Sequence, residues 1–160
     1  MNTHRSWTLI AAACCSLLAA LVHLGCIWIG PSWYRTMGAG ETIARMAAAG
    51  DSYTTVITLI IATILTVWGA YALSGAGVLP ALPFLRPALC AITAFYLLRG
   101  VAFAPMQLWF PGRSAHFWLW SSSICFIIGV LHLAGLHQIW SRLRTSGSRV
   151  DHDATAGTDG

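Results

Sequence analysis

The chain has 160 residues, 57% hydrophobic and 9% charged, with a formal net charge of +4 and a mean hydropathy of +0.68. Soluble domains carry roughly 25% charged residues, so a water-soluble globule of this length would lack its charged surface, and a membrane protein is the expected class. The basic residues are all arginine and are scattered along the chain, which argues against a nucleic-acid surface.

The N-terminal stretch MNTHRSW leads into an apolar run over 7–29, interrupted only by His23. About 20 such residues cross a bilayer core. The run is too long for a cleaved signal peptide and has no small-x-small site to close it. Cys26 follows Leu24 and Gly25, a faint likeness to a lipoprotein box, but His23 stands where that box needs an aliphatic residue.

A polar insert follows, GPSWYRTMGAGETIARMAAAGDS over 30–52. Outside the C-terminal tail the chain has only two carboxylates, Glu41 and Asp51, and both lie here beside Arg35 and Arg45. Within the insert, Glu41 to Ala49 predicts a short interfacial helix between Gly40 and Gly50, with Ile43, Met46 and Ala47 on one face. Trp33 and Tyr34 belong at headgroup depth.

A second apolar segment covers 54–73, and Asp51 or Ser52 is placed to cap it. The connection 74–86 is rich in glycine and proline, and Pro87 suits the first turn of a third segment, 87–104. A second outer loop, PMQLWFPGRSAH, precedes the fourth segment at 117–140. The tail 145–160 has almost no large apolar residues and is expected to be disordered. The predicted fold is therefore all-α: an integral membrane four-helix bundle over 1–144, with a short interfacial helix between its first two spans.

With both termini cytoplasmic, Arg5, Arg86, Arg142, Arg144 and Arg149 are inside, while Arg35, Arg45 and Arg113 are outside. This bias favours that orientation in a bacterial inner membrane. Trp7, Trp140 and Trp68 then lie toward the inner interface. Trp28, Trp33, Trp109, Trp118 and Trp120 lie toward the outer one, as an aromatic belt.

Depth along the spans follows from a rise of ~1.5 Å per residue. His23 stands roughly 24 Å above Trp7, Cys125 roughly 22 Å above Trp140, and Arg99 roughly 18 Å past Pro87. Thr54, Thr55, Thr58, Ser121, Ser122 and Ser123 fall in the same outer zone. Arg99 is the leading candidate. A cation within a span costs about 2.5–3.5 kcal/mol at the centre, so it is expected to reach Glu41, because Asp51 serves better as a cap. The candidate binding residues are Arg99, Glu41, His23, Trp33 and Tyr34.

Other chemistry is less supported. His23 and Cys26 share a helix face and, with His116 or Cys125, would make a weak metal site. His132 and His137 are about 140° apart and cannot serve one metal, and His132 is some 12 Å too low to share a haem with His23. The remaining cysteines, Cys14, Cys15 and Cys90, lie in apolar runs as packing residues, so no disulfide framework is expected. No phosphate loop, HExxH, GxSxG or intramembrane acid pair occurs.

In size and span pattern, residues 5–144 resemble the small four-helix bacterial inner-membrane proteins, the DoxX-like group among them. GPSWYRTMGAGE and AFYLLRG read like signature motifs, and the resemblance transfers no functional residue. The expected function is a non-enzymatic bundle in the lipid bilayer that binds a lipid, a small amphiphile or a partner membrane protein at its outer polar cluster. Alternatives are a haem- or quinone-associated redox protein and a small transporter acting as a homo-oligomer.

Overall fold

The computed structural model describes residues 5–102, 109 and 115–156, with side chains in its last helix described for 117–140. Six helices are present among them: α1 Trp7–Ile29, α2 Pro31–Thr36, α3 Glu41–Ala48, α4 Ser52–Gly75, α5 Leu85–Val101 and α6 Ala115–Ala156. No strand occurs among the described residues.

Each long helix begins for a local reason. Ser6 caps α1, its Oγ accepting from the Leu9 amide at 3.4 Å. Asp51 caps α4, its Oδ1 accepting from the Tyr53 amide at 2.9 Å, as expected. Pro87 lies in the first turn of α5, where its missing N–H has no intrahelical partner to lose. Gly30, at φ +88°, ends α1, and Pro31 opens α2 at once.

Side chains are distributed by size. On α1 the buried positions are Leu9, Ala12, Ala13, Ser16, Ala20 and Cys26. On α4 they are Thr54, Thr58, Ala62, Gly69, Ala72 and Ser74. The large residues Leu18, Leu21, Trp28, Leu59, Ile60 and Ile64 point outward. A soluble bundle would do the reverse, because water drives large apolar groups inward. Lipid supplies no such drive between helices, so small residues mark the contacts and large ones face the tails.

Three helical stretches, Trp7–Ile29, Ser52–Gly75 and Phe117–Trp140, are long and apolar enough to cross a membrane. They define a membrane protein. The third expected span is α5, with only 17 residues and both Arg86 and Arg99, and it falls outside that set.

The packing is cyclic. α1 lies chiefly against α4 and α6, and α5 lies chiefly against α6. The looser α4–α5 side is filled by rings, with Trp68 edge-on to Phe95 at 4.9 Å and to Tyr96 at 5.1 Å. Leu9, Ala13, Ala72, Leu89, Leu136 and Ile139 form the core at the end opposite the insert.

The bounds of α4, α5 and α6 differ from the sequence reading. α4 starts at Ser52 and ends at Gly75, because the Asp51 cap recruits Ser52 and Tyr53 into its first turn. α5 is closed by Ala102, and residues 103–104, expected at its end, lie outside the described residues. α6 continues to Ala156, where disorder was expected from residue 145. No proline interrupts 141–156, and extending an existing helix needs no new nucleus.

α5 and α6 cross closely at Gly100, where an added Cβ would lie 2.7 Å from the Phe126 Cα. That neighbour is backbone and cannot rotate away. Gly100→Ala should cost about 1–3 kcal/mol by overpacking, read as a lower melting temperature in detergent. A melting temperature equal to that of the unsubstituted protein would show the crossing to be loose.

Candidate functional site

Arg99 lies in the last turn of α5 and turns toward α6. Its Nη1 donates to Ser122 Oγ at 3.0 Å and its Nη2 to Ser121 Oγ at 2.9 Å. Its guanidinium carbon stands 5.1 Å from the centroid of the buried Trp118 ring. The expected ion pair with Glu41 does not form. Consecutive serines on α6 meet the guanidinium fork directly, whereas Glu41 is exposed and engaged elsewhere.

Glu41 pairs with Arg35 instead. Arg35 Nε donates to Oε2 at 2.9 Å and Nη2 to Oε1 at 3.1 Å, a bidentate grip, with Arg45 Nε at 3.9 Å. The Arg35 hydrogen bond and charge hold the Glu41 carboxyl below its ordinary value, and the hydrogen bond and charge of Glu41 raise Arg35 above its own. The pair is local: Arg35 closes α2 and Glu41 opens α3, six residues apart.

The rest of the insert is docked by its aromatic residues. Trp33 Nε1 donates to the Val22 carbonyl at 3.3 Å, and its ring lies on Gly25, where an added Cβ would stand 3.3 Å from Nε1. Tyr34 is buried with Cys26 and Ala44. Its hydroxyl lies 2.9 Å from Thr58 Oγ1 and donates to the Thr54 carbonyl at 3.3 Å. Ala44 takes the central place on the buried face of α3, with Ile43 and Ala47 packed beside it. The Phe117 ring presses on Gly38, at φ +73°, leaving no room for a Cβ there. The insert thus reaches α6 one residue before Trp118, the ring that faces Arg99.

His23 and Cys26 turn back on their own helix. His23 Nδ1 donates to the Ala19 carbonyl at 2.7 Å, and Cys26 Sγ to the Val22 carbonyl at 3.7 Å. No group of three or more metal-binding side chains gathers among the described residues. The side chain of His116 and residue Arg113 lie outside them. The five cysteines are free thiols.

A second polar cluster, absent from the sequence reading, occupies the bundle centre. Ser16 Oγ and Tyr96 Oη are 3.0 Å apart. Tyr96 stacks on His132, with ring centroids at 5.3 Å. His132 is 0% exposed. Its Nδ1 faces the Ile128 carbonyl at 3.0 Å, and a carbonyl only accepts, so Nδ1 carries the proton and Nε2 the lone pair. No hydrogen-bond partner meets that Nε2 among the described residues.

The five candidate residues therefore divide. Arg99 stands with Ser121, Ser122 and Trp118. Trp33, Tyr34 and Glu41 build the cap, and His23 is bonded within α1. Searches of family models, curated proteins and solved structures return no match to this chain.

The pairing pattern predicts the outcome of two double-mutant cycles in detergent. Arg35→Ala and Glu41→Ala should be coupled in stability, whereas Arg99→Ala and Glu41→Ala should be additive. Because the Glu41 carboxyl is held below its ordinary value, its contribution is present above the usual carboxylate range and fades as pH falls through the lowered value. The coupling is small, as for an exposed pair, and should vanish in acid. Coupling between Arg99 and Glu41 would contradict the observed geometry.

Proposed function

We propose that this chain is a multi-pass bacterial inner-membrane protein in which α1, α4, α5 and α6 form a four-helix bundle. It holds the headgroup of an anionic amphiphile at its outer end through Arg99, and its role is binding rather than catalysis.

The observation that carries this reading is the environment of Arg99. Two neutral serines orient the guanidinium without cancelling its charge. Only two of its five N–H donors are engaged by them. A phosphate or carboxylate would complete both the charge and the hydrogen bonds, and a planar fork suits either. Trp118 beside it and the insert above it favour a group at interface depth.

Geometry supports α5 as the fourth span. Trp118 and Trp140 stand roughly 33 Å apart along α6, close to the ~30 Å thickness of a hydrocarbon core. α5, with 17 residues, is roughly 25 Å long. Arg86 and Arg99 near its ends would cover the shortfall by snorkelling to either surface. The arginine bias favours an insert on the outside with both termini in the cytoplasm.

Orientation is checked by a membrane-impermeant maleimide on intact cells. Ser32→Cys, exposed on α2, should label from outside, and Ala81→Cys, in the α4–α5 connection, should label only after lysis. The reverse pattern would invert the bundle.

Binding is checked by thermal denaturation in detergent. Phosphatidylglycerol should raise the melting temperature and phosphatidylcholine should not, since a ligand of the native state stabilises by mass action. Arg99→Gln should lose a large part of that rise. An undiminished rise in Arg99→Gln would overturn the assignment of the headgroup to Arg99.

A further inference from the structure

The opposite end of α5 carries a second arginine in a differently built setting. The Arg86 guanidinium carbon lies 4.7 Å from the centroid of the Trp140 ring on α6. Its Nε is shut away from solvent and has no hydrogen-bond partner among the described residues. Neither ion pair found among those residues involves it.

The chain leading to Arg86 is held at three points. Ser74 Oγ donates to the Pro80 carbonyl at 2.7 Å and accepts from the Leu82 amide at 3.0 Å. Tyr71 Oη donates to the Pro83 carbonyl at 3.2 Å. Phe84 then takes a left-handed backbone, φ 53°, the only non-glycine residue to do so among those described. A bulky residue rarely adopts that conformation, and it persists only where its surroundings impose it. The Phe84 ring ends up 81% exposed, near the exposed Val78 and Leu79 of the same connection.

We propose that Arg86, with Trp140 beside it, forms a second headgroup site for the phosphate of an anionic phospholipid, on the bilayer face opposite the insert. No hydrogen bond or ion pair found among the described residues engages the Arg86 guanidinium, and a phosphate oxygen at its Nη end both accepts those N–H groups and neutralises the charge. The ring stacked on the cation leaves the edge of its fork for that anion. Phe84, two residues before Arg86, and Val78 and Leu79 in the same connection expose apolar side chains, which suits a phosphate carried on acyl chains better than one free in water. Arg5, exposed before α1 and next to Ser6, whose Oγ donates to Gln138 Oε1 of α6 at 3.0 Å, adds to the positive potential at this end. Roughly 20 Å separates Arg86 from Arg99 along α5, so one headgroup cannot serve both. The site rests on the membrane embedding proposed above but not on the role given to Arg99.

Native mass spectrometry of the full chain in detergent tests this. With added phosphatidylglycerol, the unsubstituted protein should retain two lipids, Arg86→Gln one, Arg99→Gln one and the double variant none. Phosphatidylcholine should be retained by none of them. Arg86→Lys, which keeps the charge but not the fork, should hold its lipid severalfold more weakly, and it serves as the readout if Arg86→Gln does not fold. Millimolar inorganic phosphate should fail to displace the Arg86-dependent lipid; displacement would make this a site for free phosphate and overturn the lipid assignment. Retention by Arg86→Gln equal to that of the unsubstituted protein would remove the Arg86 site and leave the Arg99 reading standing. Loss in Arg86→Gln with none in Arg99→Gln would do the opposite.

Discussion

Arg86 and Arg99 stand near the two ends of one short helix, and no carboxylate neutralises either among the described residues. A bare guanidinium deep in hydrocarbon is costly, by about 2.5–3.5 kcal/mol even on the mildest scale. The chain limits that cost by geometry. Each guanidinium leans on a tryptophan of α6, Trp140 at one end and Trp118 at the other. A cation on a ring face is worth about 0.5–2 kcal/mol, and among the described residues hydroxyls help only Arg99. These contacts reduce the cost without cancelling the charge. Among the described residues, positive charge at both ends of the α5–α6 pair therefore has no acid to balance it.

The insert uses the few acids differently. Glu41 is spent on Arg35 within the cap, and Asp51 on the first turn of α4. Neither neutralises a cation of the spans. What ties the cap to the bundle is aromatic and neutral: Tyr34 on Thr54 and Thr58, Trp33 on Val22, and Phe117 on Gly38. Such contacts hold their strength at low pH and high salt, where an ion pair weakens. The cap's position is accordingly insensitive to the aqueous phase on its side, and the Arg35–Glu41 pair serves only to join α2 to α3.

Hydrophobic patterning alone located the long helices and the Asp51 cap, because a run of apolar residues bounded by Gly, Pro and Asp admits few readings. α2 was not foreseen, since six residues between Gly30 and Met37 are too few to show a period. The Arg99–Glu41 pairing failed for a specific reason. In the sequence, charge complementarity points from Arg99 to Glu41, while Ser121 and Ser122, the partners the fold brings nearer, read only as polar residues at the same depth. Distance in the fold decides such choices, and spacing along the chain does not report which helices are adjacent. The central cluster was within reach of depth arithmetic, which puts Ser16, Tyr96 and His132 each roughly 12–14 Å above the inner ends of their helices. In the sequence His132 suggests only a haem ligand, and nothing in the spacing ties Tyr96 to it.

That cluster has a consequence for how the four long helices find one register. Apolar contacts between lipid-facing helices are nearly interchangeable, since one leucine on another resembles leucine on a lipid tail. A hydroxyl pair is not interchangeable. Ser16 on α1 meets Tyr96 on α5 across the bundle, and Tyr96 meets His132 on α6. Sliding α5 by one turn, about 5.4 Å, would break the first contact and leave both hydroxyls in a low-dielectric interior without partners. Trp68 on α4 closes the fourth side against Tyr96. Tyr96 thus touches all three other long helices through Ser16, Trp68 and His132, so their relative heights are fixed at the middle of the bundle.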